Sequence, residues 1–505
     1  VKAYWLKFTL THTNFSNVHS VLMPSVAMMA RALLIASLVG AHSAAGLAFP
    51  GDLALMQTWQ SQTESKDDSG REFLTHAGVR IYLRAPNGRR TLGGDRNATE
   101  DKTWMFLIKE GATDAELQSI VQELHPTALM TNPDIGEVPF VEGQLTEDEL
   151  ATVVEKVQEL HPGLVEAVEE DSYETRIPDT VDEASTGVAG VESFPWGIQD
   201  INANVVRGRG VGVRVFILDT GIRITHVEFG GRAFAGVDVA ATGSLTVCAS
   251  GSTTCAADFN GHGTHCAGTV GAETYGVADG AKLWAMKVLS DTGSGYVSWS
   301  VLAEQWILSY GLRPAVVSAS IGGAGNSLTE QVSIDALVTD GVTVVVAAGN
   351  ENADACSYNP AWIPSAITVA SYGGVSGSSS DKSGFSNYGS CVDVWAPGTN
   401  VLSAYHIDDV SLAYASGTSM ACPHVSGLAA IMYEANPTAG SMTAAQRWDL
   451  ITASKRENWV TNIPASPASV NLVALAPTGT PTPAVTLSPT SSPTPSPTPS
   501  PTPSP

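Results

Sequence analysis

Between Phe194 and Leu475 the chain is built from short valine-rich runs separated by helical patterns, and no other feature restricts its fold as strongly. Val213–Leu218, Leu283–Leu289, Ala315–Ala319, Val342–Ala348 and Ile367–Ala370 are apolar at most positions rather than at alternate ones. A strand without a polar side needs cover on both faces. Helical spacing at Val301–Tyr310 and Val332–Val338 supplies that cover. The alternation predicts an α/β domain over 194–475, a mostly parallel sheet with helices on both faces. Function in such sheets gathers at the carboxyl ends of the strands.

The flanks read differently. Residues 101–178 predict a small α+β domain. Trp104–Lys109 and Leu164–Val168 are strands. Leu117, Ile120, Val121 and Leu124 have helical spacing. Thr146-Glu147-Asp148-Glu149 has capping-box spacing and opens a second helix striped by Leu150, Val153, Val154 and Val157. This segment holds no nucleophile and base pair, so it reads as an accessory domain. Residues 47–100 are polar with little periodicity and contain Asn97-Ala98-Thr99, a glycosylation acceptor if the chain is secreted. Residues 28–46 follow the order of a secretory signal peptide: Arg31, the apolar run Ala32–Val39, then Ser43, Ala44, Ala45 and Gly46. That run is too short to cross a bilayer, and no stretch reaches about 18 apolar residues, so no membrane span is expected. The product is expected to be extracellular. Residues 477–505 are proline, threonine and serine, the composition of an extended linker or of an O-glycosylated stalk.

Charge narrows the partners. The chain of 505 residues carries 26 Lys+Arg against 50 Asp+Glu, a formal net charge of −24. Such a surface repels a phosphate backbone, which excludes nucleic acid as a partner. Six cysteines are too few for a disulfide scaffold and enough for local bridges.

Three segments at the edges of the valine-rich runs carry chemistry. Val215–Leu218 ends in Asp219-Thr220-Gly221, and a carboxylate straight after a buried strand needs a specific partner. Gly261-His262-Gly263-Thr264-His265 sets glycines around a histidine. Ser416-Gly417-Thr418-Ser419-Met420 opens an apolar helix. A serine hydroxyl attacks only when a base takes its proton, histidine is such a base near neutrality, and a buried carboxylate holds its tautomer. The order Asp219, His262, Ser419 is one of the known orders of this constellation.

Together these motifs resemble those of the subtilisin superfamily, closest to the proteinase K branch, over roughly Pro195 to Leu475. The resemblance implies a subtilisin-like serine endopeptidase of the α/β class. Asp219 orients, His262 is the general base and then acid, Ser419 is the nucleophile, and Asn350 is the oxyanion-hole amide. Ser294-Gly295-Tyr296 and Ser320-Ile321-Gly322 resemble the strands that sandwich an extended substrate. Ala347, Ala348 and Gly349 line a first subsite without charge, which implies broad specificity for apolar or aromatic residues before the cut. At Val297 the proteinase K branch has a tyrosine, so the fourth subsite is expected to be open at its rim. Residues 101–178 resemble the inhibitory propeptide, an intramolecular partner removed by processing between about Ser172 and Ser193. Calcium is implied at Pro364, Ala366 and Asp393, with only Asp393 offering a side chain. Cys356 and Cys391 match a bridge of some bacterial relatives. Cys248 and Cys255 bracket a short loop, which leaves a local bridge or free thiols open. Cys266 matches a buried free thiol. Protein substrates and a monomeric state complete the expectation. A pseudo-enzyme or an inhibitor would not need all four chemical positions intact.

Overall fold

The computed structural model describes residues 65–67, 71–82, 102–109, 111–124, 129–130, 139–176, 180–181, 195–205, 209–376 and 379–477. The signal-like stretch 28–46, Asn97, most of 172–193 and the tail after Pro477 lie outside them.

A small sheet forms first along the chain. Strands β1 (Glu72–His76) and β2 (Val79–Tyr82) turn through Ala77 and Gly78, at φ 48° and 84°, a two-residue turn whose twist suits a hairpin. Leu74, Val79 and Ile81 are buried in the same core as Trp104 and Phe106. Part of the stretch read as polar and non-periodic is therefore sheet; three inward apolar residues over so short a run leave little period to detect. Strand β3 (Lys102–Ile108) runs antiparallel to β4 (Phe140–Leu145) and β5 (Val165–Glu170), and β2 joins β5 in parallel. Helices α1 (Asp114–Glu123) and α2 (Glu147–Leu160) begin with capping boxes at Thr113/Glu116 and Thr146/Glu149. Trp104, Phe106 and Ile108 face these helices. Met105 and Leu107 point the other way, so from Trp104 to Ile108 β3 is apolar at every position for the reason any doubly covered strand is. Strand β6 (Tyr173–Arg176) leaves this sheet altogether.

The larger sheet is the parallel one expected. In chain order the strands of its parallel body are β7 (Arg214–Asp219), β8 (Ala233–Asp238), β9 (Lys282–Lys287), β11 (Ala315–Ala319), β13 (Thr343–Ala347), β14 (Ile367–Ser376), β15 (Val394–Pro397) and β18 (Leu472–Ala474), and short further strands pair at its margins. They stand side by side as β8-β9-β7-β11-β13-β14-β15-β18, each neighbouring pair parallel. Helices α3 (His262–Gly271) and α6 (Thr418–Ala435) pack on one face with Val215 and Ile217. Helices α4 (Val297–Tyr310) and α5 (Leu328–Thr339) lie on the other face, over Phe216 and Leu218 in the case of α4. Two short edge elements, β10 (Ser294–Tyr296) and β12 (Ile321–Ala324), and the hairpin β16 (Val401–Ala404)–β17 (Leu412–Ser416) sit outside this sheet. Strand β7 comes first in the sheet, and the chain builds to one side of it before crossing to the other. Its carboxyl end is thus the topological switch point, where such sheets place their sites.

The small domain docks through acids. Glu169 accepts from Ser327 Oγ at 2.7 Å and from the backbone N–H groups of Leu328 and Thr329 at 2.9 and 2.8 Å, at the start of α5. Asp171 accepts from the Ser298 N–H at 3.1 Å and from its hydroxyl at 2.8 Å, at the start of α4. Both meet the positive pole of a helix. Glu142 is buried beside Asp171 and Ser298, and burial pushes its carboxyl up. Met105 and Phe140 pack on Val297 and Val301 between the charges.

Two histidines of the apolar layer have structural rather than proton-transfer surroundings. His265 Nε2 donates to the carbonyls of Val401 and Ala413 at 3.0 and 3.1 Å, tying the β16–β17 hairpin to α3. His424 Nδ1 donates to the Met420 carbonyl at 2.7 Å. Burial pushes each imidazole down to about 4. A folded state that refuses a proton the unfolded chain accepts is fully stable above pH 6.5 and loses stability as pH falls toward 4, by roughly 3 kcal/mol per histidine. Thermal melts of the Ser419→Ala chain should show the midpoint falling between pH 6.5 and 4, with a shallower fall in His424→Asn; equal slopes would contradict this.

Candidate active site

Asp219 ends β7 with no solvent exposure. Its carboxylate accepts from the Thr220 N–H at 2.6 Å and from His262 Nδ1, 2.7 Å from one oxygen and 2.8 Å from the other. Because Nδ1 is held as the donor, Nε2 keeps the lone pair a general base needs. His262 opens α3 after Gly261, at φ 105°. A Cβ at Gly261 would lie 2.3 Å from His406 Nδ1 and 2.5 Å from the Tyr405 ring, so only glycine fits.

Asp258 steadies this pair and escaped the sequence reading. It is buried and accepts from Thr220 Oγ1 (2.9 Å), Thr264 Oγ1 (2.6 Å) and the backbone N–H groups of Asn260, Gly261 and Thr264 (2.9, 2.8 and 2.9 Å). Thr220 Oγ1 in turn accepts from the Gly263 N–H at 3.0 Å. One carboxylate thus clamps the turn that presents His262 to the residue after Asp219. The available signal was an acid in a glycine-rich turn, four residues before the histidine.

Ser419 is the second residue of α6 and is buried. Its Oγ has no hydrogen-bond partner among the described residues. The helix pole at this end favours a developing oxyanion. Pro423, four residues on, has no N–H for the Ser419 carbonyl. That carbonyl accepts instead from Ser320 Oγ at 2.9 Å and from Cys266 Sγ at 3.5 Å. Asn350 follows β13 and Gly349, which sits at φ 101°. Its Oδ1 accepts from the Thr418 N–H and hydroxyl, each at 2.9 Å. With the carbonyl end of the amide fixed there, the other end of the side chain is the donor Nδ2.

An extended segment of the chain itself lies in the cleft. Ser294, Gly295 and Tyr296 of β10 pair antiparallel with Thr175, Glu174 and Tyr173, while Ile321 and Gly322 of β12 pair with Arg176 and Thr175. Strand β6 is therefore the middle strand between the two segments read as substrate strands. Further along, Thr180 and Val181 pair with Ser416 and Ala415 of β17, just before Ser419. Ala347 and Ala348 are buried at the end of β13, beside Gly349.

Residues 210–471 match the family described as the Subtilase family. The chain belongs to the subtilase family. It is 42% identical over 252 residues to an extracellular serine proteinase of Thermus sp. (strain Rt41A), covering 48% of this chain and 58% of that one. It is 42% identical to alkaline serine exoprotease A of Vibrio alginolyticus, over 45% of this chain and 39% of that one. A cuticle-degrading protease of Metarhizium anisopliae is 38% identical over 345 residues, 66% of this chain and 79% of that one. The chain thus spans little more than half of the Thermus relative and less than half of the Vibrio one. A solved structure of a cold adapted subtilisin-like serine proteinase aligns with 54% of this chain and 91% of its own, at 36% identity and TM-score 0.47.

The cysteines resolve the open pairing. Cys248 is bonded to Cys255 and Cys356 to Cys391. Cys266 and Cys422 are free and buried, and burial pushes their thiols up to about 11 and about 12. Neither is a thiolate nucleophile. Asp393 bonds to Thr368, two residues after Ala366. Its Oδ2 accepts from the Thr368 N–H at 2.8 Å, its own N–H donates to the Thr368 carbonyl, and burial pushes its carboxyl up to about 6. A partly buried carboxylate oxygen is a hard donor of the kind that calcium takes.

If Asp258 sets the His262 geometry, Asp258→Ala should lower kcat by about 10- to 100-fold with KM little changed, and Asp258→Asn should keep part of the rate. Steady-state kinetics on one peptide substrate decides it; a wild-type kcat in Asp258→Ala contradicts it.

Proposed function

We propose that this chain is the precursor of a secreted serine endopeptidase of broad specificity. The observation that carries the reading is the backbone of Tyr173–Arg176, held as a substrate would be between β10 and β12, in a cleft that also holds the Asp219–His262 pair and Ser419. A peptide added as a strand is read mainly through its backbone. His262 Nε2 takes the Ser419 proton as Oγ attacks the carbonyl carbon. The oxyanion is held by the Ser419 N–H and Asn350 Nδ2. His262 then gives its proton to the leaving amine, and water repeats the sequence on the acyl-enzyme. Losing one oxyanion donor costs roughly 3–4 kcal/mol, a figure measured in subtilisin. The uncharged lining at Ala347, Ala348 and Gly349 favours apolar or aromatic residues before the cut. A methylene in such a pocket is worth about 1–3 kcal/mol, so selection stays broad.

The small domain is proposed to be a temporary inhibitor removed by the enzyme itself. Ser419→Ala should accumulate as an uncut chain, seen by intact mass, while the wild type is cut within about 172–193. Wild-type processing of Ser419→Ala overturns the assignment of the nucleophile.

Calcium is proposed at Pro364, Ala366 and Asp393, where it would supply charge to a partly buried carboxylate and hold the turn before β14 to the start of β15. A ligand of the native state stabilises by mass action. Chelator should lower the melting temperature of the wild type and have little effect on Asp393→Asn; an equal response in both contradicts the site.

A further inference from the structure

The unprimed side of the cleft carries an aromatic surface that neither the triad nor the first subsite uses. Tyr296, the last residue of β10, faces Tyr173 across the strand pair. Their rings meet edge to face, 5.5 Å between centroids at 78°. Behind Tyr296 stands Trp299, one turn into α4, with centroids 5.4 Å apart at 68°. The three rings form a chain of edge contacts, the arrangement that the aromatic quadrupole favours. The backbone holds the register at this point, since the Val297 N–H donates to the Ser172 carbonyl at 2.9 Å, one residue beyond the paired tyrosines.

Exposure separates this contact from core packing. Tyr173 is 51% exposed and Tyr296 39% exposed, so the pair lies at the rim of the cleft. A cavity beneath it is lined from the large domain by Gly243, Tyr296, Ser298 and Trp299, and from the small domain by residues that include Thr103 and Gln144. Departure of the small domain would leave Tyr296 and Trp299 standing open beside β10. The substrate backbone that replaces β6 would then bring its own side chain to the place of Tyr173.

We propose that Tyr296 and Trp299 form an aromatic shelf that selects substrates carrying tyrosine, phenylalanine or tryptophan at the position of Tyr173. The proposal rests on the endopeptidase reading and adds a second selective position to it. Substrate strands alternate their side chains across the cleft, so the shelf reads one residue and is indifferent to its neighbours. An edge-to-face pair corresponds to roughly 3- to 10-fold in rate. A tyrosine or phenylalanine should be favoured over leucine, because area burial alone does not reproduce the ring geometry.

The test is a set of peptides in which one tyrosine is walked through an alanine and serine background upstream of a fixed cut. Enzyme purified from expression of the full chain is compared with Tyr296→Ala and Tyr296→Phe. In each enzyme the readout is the ratio of kcat/KM for tyrosine over alanine at each position, an internal ratio that does not depend on how much of a variant is folded. The expected result is one maximum beyond the third residue before the cut, about 3- to 10-fold, kept in Tyr296→Phe and absent in Tyr296→Ala. A flat profile, or a maximum that persists in Tyr296→Ala, overturns the shelf while leaving the endopeptidase reading intact. Failure to cut any peptide would overturn both.

Discussion

A carboxylate at the buried end of a parallel strand is the constraint on which the rest of the site depends. Asp219 has no solvent to stabilise its charge, and an uncompensated buried charge costs several kcal/mol. Its compensation is a pair of donors: the N–H of the next residue, Thr220, and the ring of His262, brought by another segment. Those donors are placed by Asp258, which ties the turn before His262 to Thr220. The same hydrogen bonds that make the buried acid tolerable thus fix the tautomer and the direction of the imidazole. Stability and chemistry share their geometry here, and the switch point of the sheet is where several segments can converge to supply it.

A second set of acids acts between the domains. Glu169 and Asp171 close the starts of α5 and α4, where a helix leaves N–H groups without partners. The small domain thereby satisfies groups of the large one that the large domain does not satisfy with its own side chains at those points. The chain then runs from Asp171 straight into the cleft strand β6, so helix capping and cleft filling are consecutive steps along one backbone. This ordering explains why the strand sits in register with β10: its first anchor is a carboxylate on a helix pole, three residues before Glu174 meets Gly295.

Much of this was legible in the sequence. Buried parallel strands have no polar side, so the valine-rich runs located β7, β11, β13 and β14 within a residue or two at their starts. Capping boxes located α1 and α2. The residues whose side-chain chemistry has few substitutes (Asp219, His262, Ser419 and Asn350) stood in short motifs. What was not legible depends on long-range pairing. Asp258 is one acid among many until Thr220 is seen to touch it. Glu169 and Asp171 sit in an acidic run whose capping role depends on a helix more than a hundred residues away. The β1–β2 hairpin has too few apolar residues for a period. Likewise the pairing of Cys248 with Cys255 depended on loop geometry, and that of Tyr173 with Tyr296 on register.

The proposed function makes Ser419 a hydroxyl activated by His262, in a cleft that the chain itself fills. Labelling by a fluorophosphonate probe measures this most directly, because such a probe forms a bond only with an activated serine. The processed wild-type enzyme should be labelled at Ser419 alone, Ser419→Ala should not be labelled, and His262→Ala should be labelled far more slowly. Equal labelling of the wild type and Ser419→Ala, or no labelling of the processed wild type, would contradict it.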